Sequence, residues 1–267
     1  MNSSRFNTTR SLDGTEIGYV QIGAGPALVI CHGGLFDMED WFAVANQLAG
    51  RFTVHLYDRR GRGRSGDNPD GYSFASEQDD LLTIMRLAGP ESILLGHSFG
   101  GTIVLAYALR EKFKGHLIIH EAGLALREPF GGTPEAVKQL ETLLAKGDFD
   151  AALSYILLEI AQYPPDTVTA FRLSPLWPKT AAMSSAFPRE WRSINGFIPA
   201  DEELAALSCR LTLLLGSETP RYPYRAIAAD LVERIPGLSV VPLPGLNHAA
   251  NLFAPEALAE HIANVIG

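Results

Sequence analysis

SILLGHSFGGTIVLA, residues Ser92 to Ala106, joins an apolar run, a glycine-flanked serine and a second apolar run. The pattern predicts a short buried β-strand that turns sharply through Gly96-His97-Ser98-Phe99-Gly100 into a helix. Glycines at Gly96 and Gly100, with Gly101 behind them, remove Cβ atoms where strand and helix nearly touch. Ser98 can then hold a strained backbone conformation that lifts its hydroxyl clear of the sheet, the geometry of a nucleophile elbow. The blander reading of the same residues is a surface turn between strand and helix.

Outward from this segment, short apolar runs at 28–31, 52–56, 117–119, 211–215 and 240–243 read as further buried strands. Apolar spacings of three and four predict helices at 41–49, 76–88, 102–110, 224–235 and 255–265, with Pro255 in a first turn. An antiparallel start is expected at 6–9 and 16–21 around the turn Asp13-Gly14. The alternation predicts an α/β fold: a mostly parallel, eight-stranded sheet covered by helices on both faces. Right-handed crossovers align the carboxyl ends of the strands along one edge, where an active site belongs.

The alternation breaks between about Gly123 and Leu207. Helical patterns at 135–145 and 149–161 are followed by segments punctuated at Pro164-Pro165, Pro175, Pro178, Pro188 and Pro199. This predicts a core of 1–122 and 208–267 with a helical cap, 123–207, inserted at a strand's carboxyl end and overhanging Ser98. Leu35, Phe171, Trp177, Met183, Phe187 and Trp191 are candidates to line an apolar pocket there, with packing inside the cap as the alternative for each.

Composition narrows the function. The 267 residues are 46% hydrophobic and 19% charged, ordinary globular usage. No apolar run approaches a membrane span, and the start MNSSRFNTTR lacks the apolar stretch of a secretory signal, so a cytoplasmic protein without a membrane partner is expected. Cys31 and Cys209 abut predicted strands and read as small buried residues rather than a disulfide or metal ligands. A net charge of -8 argues against nucleic acid. The one basic cluster, Arg59, Arg60, Arg62 and Arg64 in YDRRGRGRSG, could bind phosphate. The favoured reading is structural, with the arginines tying the loop to nearby carboxylates such as Asp58. The glycines there match no phosphate-binding spacing.

A serine hydroxyl needs a neighbouring base, and the base needs an acid to orient it. PLPGLNHAA, residues 242–250, follows the last strand and puts His248 at the same sheet edge as Ser98. Of the other histidines, His97 adjoins the serine but points away, and His55, His116, His120 and His261 sit in or beside ordinary elements. His32 belongs to CHGGLFD, residues 31–37, a glycine loop at the end of the third strand. There Gly34, with Phe99 from the elbow, can supply the two backbone N–H groups of an oxyanion hole. The acid stays open between two residues. GSETP, after the seventh strand, has Thr219 where an Asp is usual, and Glu218 stands one residue early. Glu121 in LIIHEAGL ends the sixth strand, where a buried carboxylate demands a partner.

With HGG, YDRRGRGRSG, GHSFG and PGLNH in this order, the chain resembles the α/β-hydrolase superfamily over essentially its whole length. A Glu after the sixth strand, in HEA where those enzymes have HEL, and no Asp after the seventh resemble the arrangement of the zearalenone lactone hydrolases. That resemblance implies Glu121 as the acid and Gly34 and Phe99 as oxyanion donors. HGG in place of DGL, and a different cap, keep lactone specificity from following. Ser98 in place of an Asp nucleophile argues against epoxide hydrolases and haloalkane dehalogenases. A serine acyl-enzyme that hydrolyses an ester or lactone of a small, largely apolar substrate is therefore expected, with no cofactor or metal. The same residues are compatible with carbon–carbon hydrolysis of the meta-cleavage product type, with a perhydrolase or lyase, and with a small-molecule receptor.

Overall fold

A computed structural model of the chain describes residues 6–127, 129–219 and 221–267. Of the opening segment MNSSRFNTTR, the first five residues lie outside the described residues, as does Pro220 of GSETP. Eight strands form one sheet: β1 (Asn7–Arg10), β2 (Glu16–Gly23), β3 (Ala27–Cys31), β4 (Thr53–Tyr57), β5 (Ile93–His97), β6 (His116–His120), β7 (Arg210–Gly216) and β8 (Ser239–Leu243). Their order across the sheet is β1-β2-β4-β3-β5-β6-β7-β8. β1 and β2 run antiparallel around Asp13-Gly14, where the Asp13 carboxylate accepts from Thr15 N at 3.0 Å. β2 is also antiparallel to β4, and from β4 to β8 every pairing is parallel. The mostly parallel, eight-stranded sheet expected from the alternation, and the α/β-hydrolase fold that the resemblance implies, are what is observed.

The chain divides into two compact units: residues 1–33, 37–123 and 199–267, and residues 34–36 with 124–198. In the first unit, helices α1 (Phe42–Leu48), α2 (Phe74–Ala88) and α3 (Phe99–Arg110) follow β3, β4 and β5. One face of the sheet packs Leu28, Ile30, Val54, Leu56, Leu95 and Ile118 against Trp41, Val44 and Leu48 and against Leu258 and Ile262 of the last helix. Side chains alternate along a strand, so Val29, Leu94 and Leu117 of the same strands face the opposite layer. Both layers exclude water, which is why these strands read as continuous apolar runs.

The second unit contains α4 (Pro134–Ala145), α5 (Phe149–Tyr155), α6 (Pro165–Arg172), α7 (Trp177–Met183) and α8 (Phe187–Gly196). It has its own core. Val137, Leu140, Ala152, Ile156, Ile160 and Trp191 form one cluster, and Leu153, Val168, Trp177 and Ala181 a second. The helix expected over 149–161 ends as an α-helix at Tyr155 and continues as a π-turn over Ile156–Ile160.

The chain returns to the first unit with α9 (Asp201–Ala205), α10 (Ala226–Arg234), α11 (Ala250–Phe253) and α12 (Pro255–Ile266). Residues 224 and 225, expected to open a helix running to 235, instead end a π-turn, Arg221–Arg225, ahead of α10. Among the described residues no helix is long and apolar enough to cross a membrane.

Candidate active site

Ser98 sits at φ 54°, ψ -121°, between the last residue of β5 and the first of α3. A non-glycine residue held there is strained, and the surroundings that hold it are specific. Its N–H donates to His120 O at 3.0 Å, and its carbonyl accepts from Gly123 N at 3.2 Å. A Cβ at Gly100 would lie 2.1 Å from Cys31 O, and one at Gly96 would lie 2.4 Å from a Val104 methyl, so neither position accepts another residue without displacing backbone or core. Both glycines serve close approach. Neither supplies a left-handed turn, a conformation taken by Ser98 itself.

Glu121, directly after β6, is also left-handed, at φ 51°. Its side chain is fully buried, and its Oε2 lies 2.8 Å from Nδ1 of His248. The other carboxylate oxygen accepts from Gly216 N at 2.8 Å and from Thr219 Oγ1 at 2.6 Å. Burial works to raise its pKa. The His248 hydrogen bond, the neighbouring His120 and His248 and the Thr219 hydroxyl outweigh it and bring the carboxyl down to about 2. Glu121 is thus an anion at neutral pH and accepts from Nδ1 of His248, which leaves Nε2 as the ring nitrogen not bound to the carboxylate. Glu218 is exposed, with its Oε1 3.2 Å from Ser217 Oγ. Thr219, read in the sequence only as a missing acid, donates to the carboxylate at Glu121.

Three more rings surround the histidine. Nε2 of His97 contacts the His248 carbonyl at 2.9 Å, and the two ring centroids are 4.6 Å apart. His120 stacks on His97 at 4.9 Å. Burial pushes His97 well below the usual histidine range and His120 down to about 4, so both are neutral near pH 7. The Tyr224 ring lies 4.1 Å from that of His248 at an interplanar angle of 17°, with its hydroxyl 3.1 Å from Nε2. No sequence pattern marked these three. His97 and His120 follow from strand register, since β5 and β6 pair them directly, but Tyr224 comes from a turn outside the sheet.

On the other side of Ser98, His32 accepts from Arg59 N at Nε2, 3.0 Å, and its Nδ1 meets Gly33 O at 2.9 Å. A Cβ at Gly33 would lie 2.8 Å from Ser98 Cβ, so this loop is seated against the serine. Phe99 is buried and opens α3, where backbone N–H groups lack helical partners. Gly34 belongs to the second unit, where Glu190 Oε2 lies 2.6 Å from where its Cβ would be. Leu35, half-buried, packs against both cores of that unit. Trp191 is buried in the first of these cores and donates through Nε1 to Gly131 O. Trp177 is buried in the second, its Nε1 2.7 Å from Asp150 and its ring edge-on to Phe171. Phe187 and Met183 are half-buried.

The arginine loop is occupied internally. Arg59 forms two hydrogen bonds with Glu77, at 2.7 and 3.1 Å, and lies over the Phe99 ring. Arg60 does the same with Asp80, both at 2.7 Å, and meets Asp13 at 3.0 Å. Asp58 accepts from Met38 N and Arg64 N. Among the described residues no group of three His, Cys, Asp or Glu side chains is arranged to hold a metal ion. Cys31 is buried, accepting from the Tyr57 hydroxyl at 3.0 Å, and Cys209 is half-buried; neither is in a disulfide.

Residues 28–261 match the profile of a family described as the alpha/beta hydrolase family. An uncharacterized hydrolase of Bacillus subtilis, YraK, is 30% identical over 52% of this chain and 53% of its own, so the similarity spans about half of each. The pimeloyl-[acyl-carrier protein] methyl ester esterase of Aeromonas salmonicida is 26% identical over 92% of this chain and 98% of its own. Among solved structures, an alpha/beta hydrolase from Sphaerobacter thermophilus has a TM-score of 0.88 and 30% identity, covering 98% of this chain and 100% of that one.

Proposed function

The chain belongs to the α/β-hydrolase family, and from that premise we propose that it is a serine hydrolase of esters or lactones, working through Ser98, His248 and Glu121. The observation that carries this reading is the buried Glu121–His248 contact of 2.8 Å. Its carboxylate is held by two further donors and kept ionised. In the proposed cycle, Nε2 of His248 takes the Ser98 proton as Oγ attacks the substrate carbonyl. Negative charge develops on the carbonyl oxygen, toward which the Phe99 N–H at the start of α3 would donate, and the new imidazolium is stabilised by Glu121. Nε2 then returns the proton to the departing alkoxide, leaving an acyl-serine. Water enters, gives a proton to Nε2 and attacks the acyl carbon, and Ser98 regains its proton as the carboxylic acid leaves.

The second unit is proposed as the cap. The chain leaves the sheet after β6 and re-enters before β7. The similarity to a methyl ester esterase over 92% of this chain supports an ester, and a small, largely apolar acyl or lactone substrate is proposed with it. Cofactor and metal are not required by this cycle.

Initial-rate hydrolysis of short and medium-chain p-nitrophenyl esters and a panel of lactones tests the reading, with Ser98→Ala beside the parent. Multiple turnovers that fall by roughly 10⁴-fold or more in the variant are the expected result. Turnover that survives the substitution would remove Ser98 from the mechanism. A parent inert towards both classes would move the assignment to carbon–carbon hydrolysis or to a receptor.

A further inference from the structure

Tyr224 is reached by no motif, yet among the described residues its ring lies nearer to that of His248 than His97 or His120 does, at 4.1 Å between centroids. The two rings lie within 17° of parallel, a face-to-face stack, and the phenol oxygen is 3.1 Å from Nε2. Plates stacked this way keep their atoms about 3.5 Å apart. An oxygen 3.1 Å from Nε2 therefore stands over the imidazole rather than in its plane, where the nitrogen lone pair points. The stack covers one face of the imidazole.

The turn that carries Tyr224 is tied to the residues that hold the acid. Arg225 donates through Nε to Thr219 O at 3.0 Å and through Nη2 to Gly216 O at 3.4 Å and to Ser217 O. Gly216 N and Thr219 Oγ1 are the two further donors to Glu121. One short segment after β7 thus grips Glu121 in the plane of the histidine and presents Tyr224 to its face.

We propose that Tyr224 is a positioning residue for the proton-transfer steps, fixing the plane of the His248 ring and favouring its protonated form by a cation–π contact. The inference rests on the Ser98–His248–Glu121 reading above. Each half-reaction passes through an imidazolium, and a π-face beside it attracts that cation without competing for the nitrogen that must accept the proton. Glu121 acts on the same cation at Nδ1, in the ring plane, so the two contributions are separate. No bond is made or broken at Tyr224.

The full chain is compared with Tyr224→Leu, which removes the aromatic plate, and Tyr224→Phe, which keeps the plate and removes the hydroxyl. Two rates are read: steady-state ester hydrolysis, and phosphonylation of Ser98 by a fluorophosphonate. Tyr224→Leu should lower kcat and the phosphonylation rate by roughly tenfold with KM held within about twofold, and Tyr224→Phe should recover most of that loss. Equal losses in both variants would assign the effect to the hydroxyl and overturn the proposal, as would a loss confined to KM or a Tyr224→Leu enzyme as fast as the parent. A parent whose Ser98 is not phosphonylated overturns the triad reading along with it. A labelled parent beside an unaffected Tyr224→Leu overturns this inference alone. Because Tyr224→Leu could fail to fold, proton NMR of the parent supplies a second measurement. The Hε1 signal of His248, assigned by its loss in His248→Gln, should lie upfield of a free imidazole through the Tyr224 ring current, and an undisplaced signal overturns the proposal.

Discussion

Two buried charge clusters sit at carboxyl ends of the same sheet, and they are built in opposite ways. After β4, Arg59 and Arg60 each meet a carboxylate through two parallel hydrogen bonds, to Glu77 and Asp80, so cation and anion are matched and no proton is free to move. After β6 and β8, one carboxylate meets one histidine, and the imidazoles of His97 and His120 are kept neutral by burial. The first cluster holds a loop. The second holds a proton between partners whose affinities differ, the condition for general acid–base chemistry. Buried charge near a strand end is therefore no mark of catalysis by itself; what separates the two clusters is whether the carboxylate's partner is a guanidinium, which keeps its protons, or an imidazole, which can take up and release one.

The comparison breaks most visibly at Glu121. Glu121→Gln keeps the shape but loses the anion that fixes the His248 tautomer and stabilises its cation, and kcat should fall on the order of 10⁴-fold in ester hydrolysis. Arg60→Met strands the fully buried Asp80 and should cost roughly 3–5 kcal/mol in urea unfolding, with activity per folded molecule retained. Arg60→Met with Asp80→Leu should recover most of that stability. If Arg60→Met instead abolished turnover in folded protein, the division between a structural and a chemical cluster would fail.

A finer effect concerns pH. Burial brings His120 down to about 4, against about 6.5 for an unfolded histidine. Between those values the unfolded chain binds a proton that the folded chain does not, so stability falls as pH drops from about 6.5 to about 4 and this contribution is level outside that window. Thermal melting of His120→Phe across the same range should show a shallower slope than the parent. An identical slope would mean that His120 is not held neutral.

Much of the fold was legible because its signals are local. Ile93 to Leu95 ahead of GHSFGG, and the apolar runs of β3, β6 and β7, carry strand and turn preferences in a few adjacent residues. His248 could be placed from chain order alone. The carboxylate beside that histidine could not: choosing between Glu121 and Glu218 needs to know which one faces Nδ1, and that depends on strand register and on the left-handed backbone at Glu121. The end of the helix expected over 149–161 was missed because a π-turn leaves no distinct spacing in sequence. Trp177 and Trp191 read equally well as pocket or core, since composition does not say which neighbours an aromatic ring will find; both are buried in the cores of the second unit.

The sequence by itself determined the order of strands and helices, the serine on its strained turn, the histidine loop and the glycine loop. Each is dictated by short-range sterics and by apolar periodicity within one segment. Only the tertiary structure decided how those segments share protons. It set Thr219 and Gly216 on Glu121, His97 on the His248 carbonyl and Tyr224 against the imidazole face. These contacts join residues far apart in the chain, and a pairing between distant segments is set by how the strands register and the loops close, which no local preference encodes.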